Sequence, residues 1–116
     1  MILLYHLIFP DDTPADAWNA GSIIRLSDFM KQMLFLRKHY QILPMEDYIH
    51  DRQKNLSPQN RLMTITFDDG YRSVFDLVTP FLIKEAIPAT IFANTSHFMN
   101  NELLWFVYFN ALCSEK

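Results

Sequence analysis

The stretch that decides the fold is LMTITFDDG, residues 62–70, in which a run of apolar and β-branched residues ends at two adjacent aspartates. Short runs of this composition are typical of buried strands, so we predict a strand over residues 62–67. The charged residues begin where this strand ends. Because ligands of α/β folds bind beyond the carboxyl ends of the strands, we expect Asp68 and Asp69 to project into a site.

The two adjacent carboxylates repel each other unless a cation or a shared proton separates their roles. This repulsion is relieved if one Asp is a metal ligand and the other is a base, because one then binds a cation and the other takes a proton from water. A structural alternative is that Asp68 and Asp69 cap the next helix, because Asp is a favoured N-cap residue and the residues from Tyr71 onward have a helical pattern. A second strand-like run at residues 89–93, after a helix of suitable length, favours the site.

Strands and helices are expected to alternate along the whole chain. The apolar run at residues 2–9 predicts a first strand buried on both faces, Ser27 is expected to cap a helix, and Pro80 predicts a kink or an early helix end. Strand–helix units with short connections imply parallel strands, so we predict an α/β fold, a partial (β/α) barrel of about four parallel strands each followed by a helix. The predicted strands are 2–9, 41–44, 62–67 and 89–93, and the predicted helices are 27–39, 45–50, 73–85 and 101–113.

Composition sets the class of protein. The chain has 116 residues, of which 50% are hydrophobic, enough apolar material for the core of one domain. Its 10 basic and 13 acidic residues give a net charge of -3, and no basic cluster could follow a phosphate backbone. Nucleic acid is therefore not an expected partner.

The location is predicted from cysteine content and hydropathy. Cys113 is the only cysteine, so no internal disulfide can form. The cysteine content therefore does not indicate an oxidising compartment. The first residues lack the basic region of a signal peptide, and Pro10 comes before an apolar segment of sufficient length. The longest apolar stretch, residues 103–113, is shorter than the roughly 20 residues that a membrane helix needs. We expect a cytoplasmic protein without a membrane span.

Four segments of the chain, in the right order, resemble the polysaccharide deacetylase family, the metal-dependent esterases that include chitooligosaccharide and peptidoglycan deacetylases. The specific part is Asp-Asp-Gly-Tyr at residues 68–71 followed by Pro-Ala-Thr-x-Phe at residues 88–92, whereas the Tyr-His pair near the start is a weak signal. The four segments are Leu3-Leu4-Tyr5-His6, residues 29–44, residues 66–71 and residues 87–92.

The resemblance implies a hydrolase that removes N-acetyl groups from the amino sugars of a glycan. It implies that Asp68 is the catalytic base and that Asp69 is a ligand of a divalent metal, zinc. His6 and Tyr71 are candidates for lining the site. A lone histidine on an apolar strand is more often a hydrogen-bonded core residue, and Tyr71 has even odds of lining the site or packing on its helix.

The family's remaining motifs are missing from the chain. The family completes its metal site with two histidines spaced i, i+4, but no two of the 4 histidines, His6, His39, His50 and His97, have that spacing. Residues 1–116 are therefore predicted to be the N-terminal portion of a polysaccharide deacetylase-like domain that is truncated. Expected partners are a glycan with N-acetylated sugars and a second-half polypeptide. The alternatives are a non-catalytic remnant or binding module that retains the half-barrel, and a plain structural domain.

Overall fold

The computed structural model describes residues 1–14, 24–54 and 61–100, and it confirms the predicted α/β fold with parallel strands. The predicted helix at 101–113 lies outside the described residues. The strands are β1 Ile2–Tyr5, β2 Gln41–Ile42, β3 Leu62–Asp69 and β4 Thr90–Ala93. The helices are α1 Leu26–His39, α2 Met45–Lys54, α3 Thr79–Lys84 and α4 Thr95–Asn100, with a π-helical turn at Val74–Val78 before α3.

Strand β3 is the centre of the sheet, because it pairs in parallel with the other strands described. Strand β1 pairs with residues 64–67 on one side of β3. On the other side, β2 pairs with residues 62–63 and β4 with residues 66–69. The order along the sheet therefore differs from the order along the chain, and the carboxyl end of β3 lies directly beside the carboxyl end of β4.

One face of the sheet packs against the helices and forms the core. Phe67 of β3 and Phe29 of α1 are fully buried, with ring centroids 5.9 Å apart. The ring of Tyr5 of β1 packs against both, with its centroid 5.1 Å from that of Phe29 and 5.6 Å from that of Phe67. Burial raises the pKa of Tyr5 to about 12, and its hydroxyl donates a 2.8 Å hydrogen bond to Gln32 Oε1. The remaining buried members of this core are Ile8, Met33, Met63, Ile65, Val74, Val78, Phe81, Leu82 and Ile87.

The opposite face of the sheet, which we call the inner face, is partly open. Paired residues of parallel strands point to the same side, so Leu4 of β1, Thr66 of β3 and Thr90 of β4 share this face. Thr66 is buried, but Ile2 and Leu4 are 56% and 49% exposed. The prediction that the first strand is buried on both faces was therefore wrong, because the described residues cover only the helix side of β1. The strand also ends at Tyr5, before the predicted Phe9.

The start of α1 differs from the prediction that Ser27 caps this helix. The helix begins at Leu26, and the N-cap residue Arg25 makes no side-chain cap bond. Instead, Asp11 Oδ1 accepts a 3.0 Å hydrogen bond from the backbone N–H of Ser27. This bond to the backbone of Ser27 lowers the pKa of Asp11, as do the neighbouring positive charges of Arg25 and Lys31. A loop residue distant in sequence thus supplies the cap that the helix itself lacks.

The helical segment after β3 does not end early at Pro80, since α3 continues to Lys84, but it is irregular just before the proline. Proline has no N–H to donate, so regular helical bonding cannot continue through it. The turn before Pro80 is a π-helical one, in which the backbone N–H of Thr79 bonds to the carbonyl oxygen of Val74. The hydroxyl of Thr79 also donates to that oxygen, at 3.0 Å. The irregular hydrogen bonding is thus confined to the π-helical turn, in which Val74 and Val78 stay buried.

Other bounds also differ from the sequence predictions. Strand β3 continues to Asp69, two residues beyond its predicted end, so both aspartates lie within the strand, and β2 ends at Ile42. Helix α2 reaches Lys54, beyond the predicted helix end at residue 50. Helix α4 begins at Thr95, where the sequence had predicted a loop containing His97. Within residues 1–14, 24–54 and 61–100, no helix combines the length and the apolar character that crossing a bilayer requires.

Candidate functional site

An open cleft of about 490 Å³ lies at the carboxyl ends of β3 and β4. Its position is the one that parallel α/β sheets use for ligands. A larger cavity of about 610 Å³ lies on the helix side of the sheet, but none of the described residues that line it has a titratable side chain. We therefore assign the candidate site to the cleft. The residues that line the cleft are Leu4, Asp68, Asp69, Phe92, Ala93 and Asn94.

The structure brings the two predicted acids together in this cleft. Successive side chains of a strand point to opposite faces, so Asp68 belongs to the inner face and Asp69 would turn toward the helices. The backbone of Asp69 departs from the strand geometry, with a φ of 67°, and Gly70 follows with a φ of 70°. Asp is one of the few residue types that tolerate this left-handed region. We attribute the presence of both aspartates in one cleft to this change of backbone direction.

The backbone of Asp69 leads to a stability prediction. Replacing Asp69 with alanine is expected to lower the free energy of unfolding by about 1 kcal/mol, because alanine disfavours the left-handed region. The Asp69→Asn variant should change it by less than about 0.5 kcal/mol, since Asn tolerates positive φ as Asp does. Urea unfolding of both variants measures the difference. Equal losses in the two variants would show that the charge of Asp69, and not its backbone, determines stability here.

Tyr71 lies close to this site and also packs on the core. Its pKa is raised, first by partial burial of the hydroxyl and second by the negative charge of Asp69. The packing role weighed for Tyr71 agrees with the structure, whereas Tyr71 is not among the described residues that line the cleft, and its role in lining the site stays a prediction. Its neighbour Arg72 pairs instead with Asp76 at 2.9 Å, with 91% of the Arg72 side chain exposed, and belongs to the helix surface.

The other predicted site residue, His6, is not among the residues that line the cleft. It is exposed and lies one residue beyond β1. The side chain of His97 lies outside the described part of the structure. Among the described residues, no group of three His, Cys, Asp or Glu side chains is placed to hold a metal ion.

The described residues fit a metal only in part. Carboxylates are suitable ligands for zinc and for harder divalent cations, and Asp69 can provide one. A catalytic zinc has about three protein ligands, so the described residues form an incomplete set. The capping alternative for Asp68 and Asp69 is not supported by the described residues either, because both aspartates lie within β3 and the π-helical turn, which begins at Val74, has Ser73 as its N-cap residue without a side-chain cap bond.

Sequence reasoning missed the other residues of the cleft, Leu4, Phe92, Ala93 and Asn94. Leu4 and Phe92 are part of predicted strands, and each was interpreted as strand core or as part of a family motif. Phe92 is beside Asp68 because β4 pairs with β3 in a particular register, Asp68 with Phe92. A register between strands separated by a helix has no local signal in the sequence. The alternation of side chains along β4 could only have shown that Thr90 and Phe92 share a face.

Comparison with known proteins gives a family match and structural neighbours. Residues 55–106 match the family model described as polysaccharide deacetylase. No curated protein matched the chain. The Streptococcus pyogenes deacetylase PplD, solved in complex with acetate, is 26% identical with a TM-score of 0.68, and the match covers 83% of this chain and 42% of that one. IcaB from Ammonifex degensii is 27% identical with a TM-score of 0.59, covering 79% of this chain and 36% of that one.

A third structure extends the similarity of fold. The de-N-acetylase from Aggregatibacter actinomycetemcomitans is 20% identical with a TM-score of 0.65, and the match covers 89% of this chain and 41% of that one. The chain therefore spans about two fifths of the length of these neighbours. The matched segment includes β3 with both aspartates, and the strands around it have the neighbours' fold. Together these findings show that residues 55–106 match the polysaccharide deacetylase family model and that the chain is similar to solved deacetylases over most of its length.

Proposed function

We propose that this chain provides the catalytic aspartates of a metal-dependent hydrolase that removes N-acetyl groups from the amino sugars of a glycan. The observation that carries the proposal is the presence of Asp68 and Asp69 in one open cleft at the carboxyl end of the central strand. Removal of an N-acetyl group releases acetate, and acetate is the ligand with which the Streptococcus pyogenes deacetylase was solved. The family match and the site geometry thus support the same class of reaction.

Asp68 is proposed to be the catalytic base. Its side chain is partly exposed in the cleft, where water and a substrate can reach it. No hydrogen bond to another described residue occupies its carboxylate, so the carboxylate is available to accept a proton. It would take that proton from the water that attacks the acyl carbon. Tyr71, close to Asp69, is proposed to line the same site, and His6 remains a prediction without support from the cleft.

Asp69 is proposed to be a ligand of a divalent metal, zinc. A bound cation would polarise the acyl carbonyl and favour attack by water. The left-handed backbone of Asp69 brings its carboxylate to the cleft beside Asp68 and so separates the roles of the two acids. The charges of both aspartates would otherwise repel each other, and a cation relieves that repulsion.

The remaining ligands are proposed to come from a second-half polypeptide that packs on the inner face. Ile2, Leu4 and Phe92 leave large apolar side chains about half exposed there, at 56%, 49% and 51%. Exposed apolar patches of this kind commonly mark interaction surfaces. The part of the neighbours' chains that this chain does not cover, about three fifths of their length, corresponds to such a partner. The predicted domain assignment and the cytoplasmic location remain predictions.

The test is an acetate-release assay on chitin oligomers. The purified chain is assayed alone and with a polypeptide corresponding to the part of the Streptococcus pyogenes deacetylase that this chain does not cover. We expect no release by the chain alone in excess zinc, because its described residues provide one proposed ligand, and metal-dependent release by the mixture that a chelator abolishes.

Two outcomes would count against the proposal in different ways. Glycan binding by the mixture without any acetate release would favour the alternative of a binding module. Release by the chain alone would show that its metal site is complete without a partner. The Asp69→Asn variant is the matched control, since it keeps the backbone conformation and the side-chain volume while removing the charge that a metal ligand needs.

A further inference from the structure

We infer that residues 103–112 of this chain pack as a helix into the apolar groove on the helix side of the sheet, the cavity of about 610 Å³. The occupant is thus a segment of the same chain, which follows α4 after two residues. The inference concerns the face of β4 that points away from the cleft, and it does not depend on the proposed reaction. Its consequence is that β4, which forms one wall of the cleft, is held in place from its helix side.

The groove lies beside α3 and along the start of β4, where the described helix layer ends. On β3, Ile65 and Phe67 are fully buried on the helix side. On β4, Ile91 faces the same side because it pairs with Phe67, yet it is only partly buried. Ile83 of α3 lines the groove and is 74% exposed. The described helices therefore cover β3 and leave the helix side of β4 partly open.

The lining of the groove favours an apolar, uncharged occupant. Of the described residues that line it, Thr79 alone is polar, and none carries a charge. A charged group placed there would lose its water without gaining a partner. The segment LLWFVYF, residues 103–109, is also free of charge and is the longest run of apolar residues in the chain. Groove and segment are therefore matched in chemistry.

The same segment contains an apolar stripe at helical spacing. Four residues occupy positions i, i+3, i+4 and i+7 of a helical repeat: Trp105, Tyr108, Phe109 and Leu112. Asn110 falls on the opposite side of such a helix. A short helix gains most of its stability by packing its apolar stripe against another surface. The groove provides such a surface, so the stripe is the face that we place against it.

The position and length of the segment also match the groove. Strand β4 ends at Ala93 and α4 begins at Thr95, so the next helical segment starts at the carboxyl end of the sheet. A helix that follows a parallel strand packs back onto the sheet, as α3 does after β3. A helix over residues 101–113 would be about 20 Å long, and residues 88–93 also extend about 20 Å. Because the segment is tethered to the strand that it covers, it has an advantage in effective concentration over any separate partner.

The test follows the fluorescence of Trp105 in the purified chain. Trp18→Phe leaves Trp105 as the only tryptophan of the original 2. We expect acrylamide to quench Trp105 less than it quenches free N-acetyltryptophanamide. In this background, Ile83→Asp should raise the quenching constant at least about twofold, because the docked helix would have to bury the new charge. Ile49→Asp is the matched control, since Ile49 is a half-exposed isoleucine of α2 that is not among the described residues lining the groove.

A second pair of variants tests the same contact from the side of the segment. Leu112→Asp places a charge within the stripe and should expose Trp105 as Ile83→Asp does. Asn110→Asp adds the same charge on the opposite side of the helix and should leave the quenching unchanged. Urea unfolding checks that the core is retained, which we expect of Ile83→Asp because Ile83 is largely exposed.

Three results would overturn the inference. The first is quenching of Trp105 as strong as that of the free compound when the groove is unaltered. The second is equal quenching in Ile83→Asp and Ile49→Asp, which would place Trp105 elsewhere. The third is protection of Trp105 that is lost when the protein is diluted, since the groove would then be filled by a second copy of the chain.

Discussion

Replacing Asp68 with asparagine is expected to lower acetate release by the completed domain about 10²–10⁴-fold, the range that loss of a general base produces. Asparagine keeps the volume of the side chain but cannot accept the proton. Asp68 is partly exposed at the carboxyl end of β3, so the free energy of unfolding should change by less than about 0.5 kcal/mol. Initial rates at saturating chitin oligomer, measured together with urea unfolding, test both parts of this prediction.

Asp69→Asn provides the comparison that separates the two aspartates. A weakened ligand lowers metal affinity, so raising the zinc concentration should recover part of the rate of Asp69→Asn. The same increase should leave the rate of Asp68→Asn unchanged, because a missing base is not replaced by metal. Recovery of both variants by zinc would mean that both aspartates are ligands. An unaltered rate in Asp68→Asn would remove Asp68 from the role of base.

The elements around the site could be predicted from local patterns. The apolar run that ends at Asp68 and Asp69 identifies both a strand and the position of a site, because a buried strand and a pair of charges leave few other arrangements. An irregular helix near Pro80 was also predictable, since a proline inside a helical run removes one backbone donor and crowds the preceding turn. These predictions depend on neighbouring residues alone, and the structure confirms the strand and the irregular helix.

The parts that sequence could not provide depend on contacts between distant residues. The apolar pattern of β1 predicts burial on both faces, but burial also needs a covering element, and the described residues provide one only on the helix side of β1. Asp11 caps α1 through the N–H of Ser27, although the loop sequence contains no pattern that selects it. The pairing of Asp68 with Phe92 likewise follows from strand register, which side-chain alternation leaves undetermined.

The left-handed backbone at Asp69 was predictable from the sequence only in part. The following glycine predicts a turn, and Asp is tolerated at positive φ, so a change of direction near residue 70 was to be expected. The sequence did not indicate that the change begins one residue earlier, at Asp69 itself. This single residue is the physical reason that two neighbouring side chains of a strand can serve one cleft. Its conformation therefore connects the fold to the proposed division between base and ligand.

The largest effect on folding is expected from Phe29→Ala in α1. Phe29 is fully buried and its ring lies 5.1 Å from Tyr5, 5.9 Å from Phe67 and 6.3 Å from Phe81, so it joins the helices to the sheet. Removing a buried Phe side chain costs about 3–5 kcal/mol, a large share of the roughly 5–15 kcal/mol that stabilises a domain. Phe35→Ala, at a position of the same helix that is 60% exposed, should cost less than about 0.5 kcal/mol. Urea unfolding compares the two variants. Only the Phe29 variant loses a buried contact, so its midpoint should be the lower one. Similar midpoints would contradict the packing of α1 against β3.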